Sequence, residues 1–166
     1  MVLTMKLYRI ASNLYPVFDG MGAFLNGARW NSSGGRVIYC AENLSCSRLE
    51  QLVHIGRISA RPSNHAFVEI FVPDDVLTTR LDENELPVGW DHPTDLTIAQ
   101  QVGDSWVADG RTLLLNVPSV ASRGDRVVVI NQSHPGFRLL TATNPEPLDW
   151  DVRLFNPEKM STDPTQ

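Results

Sequence analysis

Between Gly20 and His54 the chain reads GMGAFLNGARWNSSGGRVIYCAENLSCSRLEQLVH, and the rest of the chain reads as serving that stretch. A glycine-punctuated loop ends in Gly27-Ala28-Arg29-Trp30-Asn31. A short apolar strand from Arg36 to Ala41 carries Tyr39, and an amphipathic helix follows with Glu50 near its middle. Short connections join the three, so an arginine, an aromatic hydroxyl and a carboxylate fall on consecutive elements. The flanking sequence has the character of scaffold.

The other elements follow from periodicity. Leu7 to Ala11 forms a first strand, with Leu7, Arg9 and Ala11 on one side and Tyr8 and Ile10 on the other. Asn13 to Ser33 is a long loop, and its aromatics Tyr15, Phe18, Phe24 and Trp30 imply that it is packed. In the following helix Leu49, Leu52, Val53 and Gly56 recur as a stripe, with Asn43 as N-cap and Gly56 as stop. His65 to Val72 alternates between an aliphatic face (Ala66, Val68, Ile70, Val72) and a mixed one (Phe67, Glu69, Phe71), which predicts a strand. Thr78 to Pro93 is polar and turn-rich, a surface excursion. Leu96 to Ala108 has helical spacing and stops at Asp109-Gly110. Leu113 to Val117 and Arg126 to Ile130 are apolar strands, Phe137 to Leu140 is a further strand candidate, Asn144 to Pro147 breaks the chain, and Val152 to Phe155 is a candidate edge strand. The expected fold is α+β: a single domain over residues 1–155 with a mixed, mainly antiparallel sheet and a few helices, then a frayed tail over 156–166.

Composition narrows the function. The formal net charge is -5, from 14 Lys+Arg against 19 Asp+Glu, and no basic run occurs. Direct nucleic-acid binding is not expected, because it needs clustered Lys/Arg to displace counterions. No apolar run suffices to span a bilayer, and Met1 to Ala11 lacks the pattern of a signal peptide. Cys40 and Cys46 are poor material for a disulfide framework and too few for a zinc site. The chain reads as cytoplasmic.

Each candidate residue has two readings. Glu50 lies beside the Leu49/Val53 stripe, with Ser47 three residues before it and His54 four after; it is either a functional carboxylate or a boundary residue paired with His54 or Arg57. Arg29 follows glycine and alanine, where backbone N–H groups can approach an anion, but it can equally pair with a surface carboxylate or stack on Trp30. Tyr39 can be core, Ser119 a turn residue after Pro118, and His134 structural before Pro135. No nucleophile elbow and no His-x-x-x-His pair is present.

Taken together, these pieces resemble the RES domain family. Tyr8-Arg9-Ile10, Gly27-Ala28-Arg29-Trp30-Asn31, Val37-Ile38-Tyr39-Cys40-Ala41-Glu42, Leu49-Glu50-x-Leu52-Val53-His54, Pro118-Ser119 and Asn131-Gln132-Ser133-His134-Pro135-Gly136-Phe137 occur in that family's order, from about Leu7 to about Leu140. By motif position the family's Arg, Tyr, Glu and Ser fall on Arg29, Tyr39, Glu50 and Ser119. Two positions depart: Ala28 stands where a second glycine is common, and Gln132 where a proline is.

The resemblance implies an ADP-ribosyltransferase-like fold and a toxin of a bacterial toxin–antitoxin pair. Such a toxin consumes NAD+ as substrate, by hydrolysis or phosphorolysis, or transfers its ADP-ribose to a protein, and needs no cofactor or metal. The implied partner is an Xre-type helix-turn-helix antitoxin that covers the active site. The implied catalytic residues are Glu50, Arg29 and Tyr39. Arg29, Tyr39, Ser119, Arg9 and Trp30 would bind substrate, with Arg9, Arg29 and Arg36 making the pocket locally basic. A non-catalytic nucleotide- or partner-binding module is the reading of a different class; loss of Arg29 or Glu50 would have favoured it, and both are present. Aromatics of the long loop and of the 78–93 excursion are candidates for an interface, a homodimer included.

Overall fold

A computed structural model describes residues 5–55 and 62–155. Its elements are β1 (Met5–Ser12), α1 (Met21–Asn26), β2 (Val37–Ala41), α2 (Leu44–Ile55), β3 (His65–Val72), β4 (Thr78–Arg80), α3 (Thr97–Asp109), β5 (Leu114–Pro118), β6 (Arg126–Asn131), β7 (Thr141–Ala142) and β8 (Glu146–Pro147). One sheet runs β4-β5-β6-β2-β1-β3-β7, with β8 also on β3; β4 and β5 are parallel and the other pairs antiparallel. The domain is α+β with a mixed, mainly antiparallel sheet.

The central strands explain the layering. Leu114 to Val117 and Val127 to Ile130 are buried without a break, as strands covered on both faces require. On one face Ile38, Cys40, Leu114, Val128 and Ile130 join Leu7, Val68 and Ile70, closed over by Val17, Phe18 and Phe137. The other face has two covers. Val37, Tyr39, Leu115, Val117, Val127 and Val129 receive Trp30, Trp90 and the Ala99 and Trp106 side chains of α3. Ile10 and Phe67 receive Leu44 and Leu52 of α2, together with Leu148 and Trp150. α2 and α3 thus cover different parts of one face, and the space between them is where the candidate site forms.

Strand β3 and helix α3 match their sequence readings, the latter ending at Gly110 in the left-handed conformation at φ 62°. Asn43 does cap α2, its Oδ1 accepting from Cys46 N–H at 2.7 Å. Other expectations need correction. The Asn13–Ser33 loop contains α1, too short to show a period. The 78–93 segment is more than a surface excursion: β4 pairs with β5, and Leu86 and Trp90 are buried, so Trp90 is not an exposed interface aromatic. Phe137 to Leu140 is not a strand but the end of a 3-10 turn, Pro135–Leu139, which His134 Nδ1 caps by accepting from Gly136 N–H. Val152–Phe155 is likewise 3-10, set by Asp151 accepting from Arg153 N–H, and Glu146–Pro147 pairs with β3 rather than breaking the chain. Gly56, Arg57 and the 156–166 tail lie outside the described residues.

The stripe on α2 is only partly turned to the core: Leu52 packs there, Leu49 and Val53 do not. Leu49 is 43% and Val53 67% exposed, while Cys46 and Ser47 are buried. The helix is turned so that its polar edge, with Glu50, faces inward.

Candidate active site

The loop before β2 is held by the strand it precedes. Tyr39 Oη accepts from Trp30 N–H at 2.9 Å and donates to Asn31 Oδ1 at 2.7 Å. Asn31, fully buried, spends its amide on the carbonyls of Ala23, Ser32 and Gly35. Between them Ala28 and Asn31 close a tight turn, backbone to backbone, with Arg29 projecting from its tip. Gly27, at φ 66°, lets the chain enter this turn, since a Cβ there would sit 3.0 Å from Asn31 O. Burial pushes the Tyr39 hydroxyl upward from its ordinary pKa, so it stays a neutral hydrogen-bonding group.

Helix α3 clamps the same turn from above. Gln100 Nε2 donates to the carbonyls of Ala28 (3.0 Å) and Asn31 (3.3 Å). Asp104 accepts from Ser32 N–H at 2.9 Å and from its hydroxyl at 2.6 Å. Gly103 lies directly against Trp30, where a Cβ would come within 1.7 Å of the carbonyl oxygen. None of these three residues was anticipated as functional. A glycine inside a helical pattern was the available signal, because it often marks close backbone approach.

Arg29 Nη1 donates to the carbonyls of Trp90 (3.1 Å) and His92 (3.0 Å). Trp90 stacks on Trp30 with ring centroids 5.9 Å apart. One edge of the guanidinium is thereby fixed to the 90–92 turn. Among the described residues, its Nε and Nη2 take no protein acceptor.

Glu50 is not paired with His54, and none of the ion pairs among the described residues involves it. Its Oε1 accepts from Ser119 Oγ at 2.6 Å. Ser119 is 2% exposed and lies behind the carboxylate. The neighbouring Cys46 thiol is pushed up to about 11 by burial, which keeps it neutral and excludes a thiolate nucleophile there.

Arg29, Trp30, Tyr39 and Glu50 line one cavity of about 50 Å³ with Pro118, Val120 and Val127. The lining thus combines an arginine, a carboxylate residue and two aromatic residues. Arg9 and Arg36 do not belong to it. Arg9 lies on the opposite sheet face, beside Leu7, and donates to the carbonyls of Val17, Tyr39 and Asp19; it fastens the long loop. Arg36 pairs with Asp19 at 2.8 Å and donates to Gln132. Gln132 also accepts from Gly20 N–H at 2.7 Å, so the residue standing where the family favours proline anchors the start of α1. Arg29 is therefore the arginine among the cavity-lining residues.

Comparison with known proteins bears on the family and the fold. The RES domain family matches residues 6–151. A protein of Sphingobium sp. (strain YBL2) described as "Prs ADP-ribosylating toxin" is 34% identical over 159 residues, covering 92% of this chain and 98% of the relative. A "Toxin Res" of Photorhabdus laumondii is 31% identical over 135 residues (80% and 85%), and one of Yersinia enterocolitica is 30% identical over 153 residues (90% and 99%). The fold is shared with a chain of the M. tuberculosis MbcT-MbcA toxin–antitoxin complex, with a TM-score of 0.68 and 18% identity over 89% of this chain and 86% of that one. A family match over nearly the whole chain, with relatives aligned along almost their full length, identifies this protein as a member of the RES domain family.

Proposed function

We propose that this chain is the toxin of a toxin–antitoxin pair and breaks the nicotinamide–ribose bond of NAD+. The observation that carries the proposal is a single carboxylate, Glu50, held by the Ser119 hydroxyl and sharing a cavity with Arg29, Trp30 and Tyr39. Nicotinamide in NAD+ is a pyridinium. When its bond to ribose C1′ breaks, the electron pair returns to the ring nitrogen and a neutral molecule leaves. No general acid is needed, so one carboxylate suffices where ordinary glycosidases use two.

The roles follow from position. Glu50 faces the positive charge that develops on the ribose and holds the incoming nucleophile or a ribose hydroxyl. Arg29, with one edge anchored, offers its remaining N–H groups to the pyrophosphate, a task suited to a planar fork. Tyr39, whose hydroxyl is taken by Trp30 and Asn31, contributes its ring face. Ser119 orients Glu50. The cavity volume of about 50 Å³ is well below the roughly 300–1,000 Å³ of an ordinary ligand pocket, so entry of the pyridinium requires a wall to move outward. An ADP-ribosyltransferase-like core belongs to the same proposal.

Water or phosphate as acceptor gives NAD+ hydrolysis or phosphorolysis and depletes the pool. Transfer of ADP-ribose to a protein is the second reading, favoured by the name of the Sphingobium relative. A helix-turn-helix antitoxin of the Xre type, seated over the cavity, is the proposed partner; the shared fold with a chain of a toxin–antitoxin complex supports an antitoxin partner in general. Expression of the chain alone in bacteria is expected to stop growth as NAD+ falls, and co-expression of the antitoxin to restore it. Unimpaired growth at a verified protein level contradicts the toxin role, and arrest with a constant NAD+ pool points to protein modification instead.

A further inference from the structure

Glu50 is tied to the start of its own helix by a circuit of side chains on a neighbouring loop. Ser119 Oγ, which donates to Glu50, accepts from Ser122 N–H at 2.9 Å. Ser122 Oγ donates to Asp125 Oδ2. Asn43 Nδ2 donates to Asp125 Oδ1 at 2.8 Å, while Asn43 Oδ1 caps α2 at Cys46 N–H. Asp125 also closes the base of the loop, its carbonyl accepting from Ser119 N–H at 3.0 Å. The path leaves α2 at its cap, crosses the 119–125 loop and returns to α2 two turns later at Glu50.

Asp125 is the junction. Each carboxylate oxygen takes one donor, one from the helix cap and one from the loop, so the same group sets the spacing between α2 and Ser119. These two hydrogen bonds, Ser122 first, also hold the Asp125 carboxyl below the usual carboxylate range, so it stays ionised and acceptor-only at neutral pH. A catalytic carboxylate on an otherwise rotatable side chain loses rate when its placement is loose. Asp125 is not among the residues that line the cavity; its route to Glu50 runs through Ser122 and Ser119.

We infer that Asp125 is a positioning residue for catalysis, fixing Glu50 through Ser122 and Ser119. The inference rests on Glu50 being the catalytic carboxylate. The test is a double-mutant cycle on the full chain, following nicotinamide release from NAD+. Asp125→Asn and Ser119→Ala each lower kcat about tenfold with KM within about twofold, and the double variant is no slower than Ser119→Ala alone. A purely structural Asp125 gives losses that multiply, and that result, or a parental rate for Asp125→Asn, overturns the inference. Should Asp125→Asn not fold, Ser122→Ala cuts the same circuit by one hydroxyl and carries the same expectation, with Ser122→Thr restoring the rate; a parental rate for Ser122→Ala overturns it. Glu50→Gln in the same assay keeps the two levels apart. A parental rate there removes Glu50 from the mechanism, whereas a slow Glu50→Gln beside a normal Asp125→Asn removes only the role of Asp125.

Discussion

Replacing Glu50 by glutamine is expected to slow NAD+ turnover about a hundredfold while leaving the fold and NAD+ binding nearly intact. The amide is close to isosteric and its carbonyl oxygen can still accept from Ser119 Oγ, which donates to the carboxylate at 2.6 Å. Ser119 is buried, so an unpaired hydroxyl there would be costly; the conservative change avoids that cost. What disappears is negative charge facing a developing oxocarbenium, a loss on the order of 3 kcal/mol of transition-state stabilisation. Steady-state rates, with circular dichroism and NAD+ titration on the same sample, check the expectation. Were Glu50 only a boundary carboxylate, the rate would stay within a factor of two and the melting temperature would hardly move.

Replacing Gly103 by alanine is expected to have the largest effect on stability. In an open helical position the change would stabilise by about 1 kcal/mol, because alanine is the better helix former. Here the new Cβ would lie 1.7 Å from Trp30 O, with backbone on both sides of the clash. No rotamer relieves it; either α3 or the Arg29–Trp30–Asn31 turn must shift, which breaks the Gln100 and Asp104 contacts. Overpacking of this kind costs on the order of 3 kcal/mol, a fall in melting temperature of roughly 6–12 °C for a chain of this size. An unchanged or raised melting temperature would show that α3 does not press on the turn. The opposite sign expected from propensity makes the outcome easy to read.

What could be read from the sequence, and what could not, follows from where local pattern and tertiary demand agree. His65 to Val72 alternates because β3 lies between β1 and the short strands β7 and β8, with its aliphatic face in the core, and the pattern gives its bounds without error. α3 was legible from its stripe and its glycine stop. α2 was legible as a helix and through its Asn43 cap, but its orientation was not. Leu44 and Leu52 pack on the core, but Leu49 and Val53 face outward while Ser47 is buried and Glu50 half-buried, and a functional site is where such local rules are expected to fail. Phe137 to Leu140 is ambiguous as any short apolar run is; the deciding hydrogen bond, from Gly136 N–H, is accepted by His134 Nδ1, on a ring whose tautomer and rotamer no periodicity reveals.

The site divides in the same way. The motif positions Arg29, Tyr39 and Glu50 line one cavity, and Ser119 reaches it through Glu50 by a hydrogen bond that spans 69 positions and leaves no trace in spacing. Arg9 is not among the residues lining that cavity. Strand alternation set it with Leu7 and Ala11, and the register of β1 against β2 and β3 places that set on the face opposite Tyr39. Gln100, Gly103 and Asp104 belong to no motif, because they touch the loop that bears Arg29 rather than the cavity itself.

The most direct test is chemical. The purified chain is incubated with NAD+, with and without inorganic phosphate and with a bacterial lysate as a source of acceptors, and the nicotinamide and ADP-ribose products are quantified. Nicotinamide is expected to appear mole for mole with NAD+ loss, with the ADP-ribose recovered free, phosphorylated or attached to protein according to the acceptor. A folded chain that leaves NAD+ intact under all three conditions would contradict the assignment of this cavity to the nicotinamide–ribose bond.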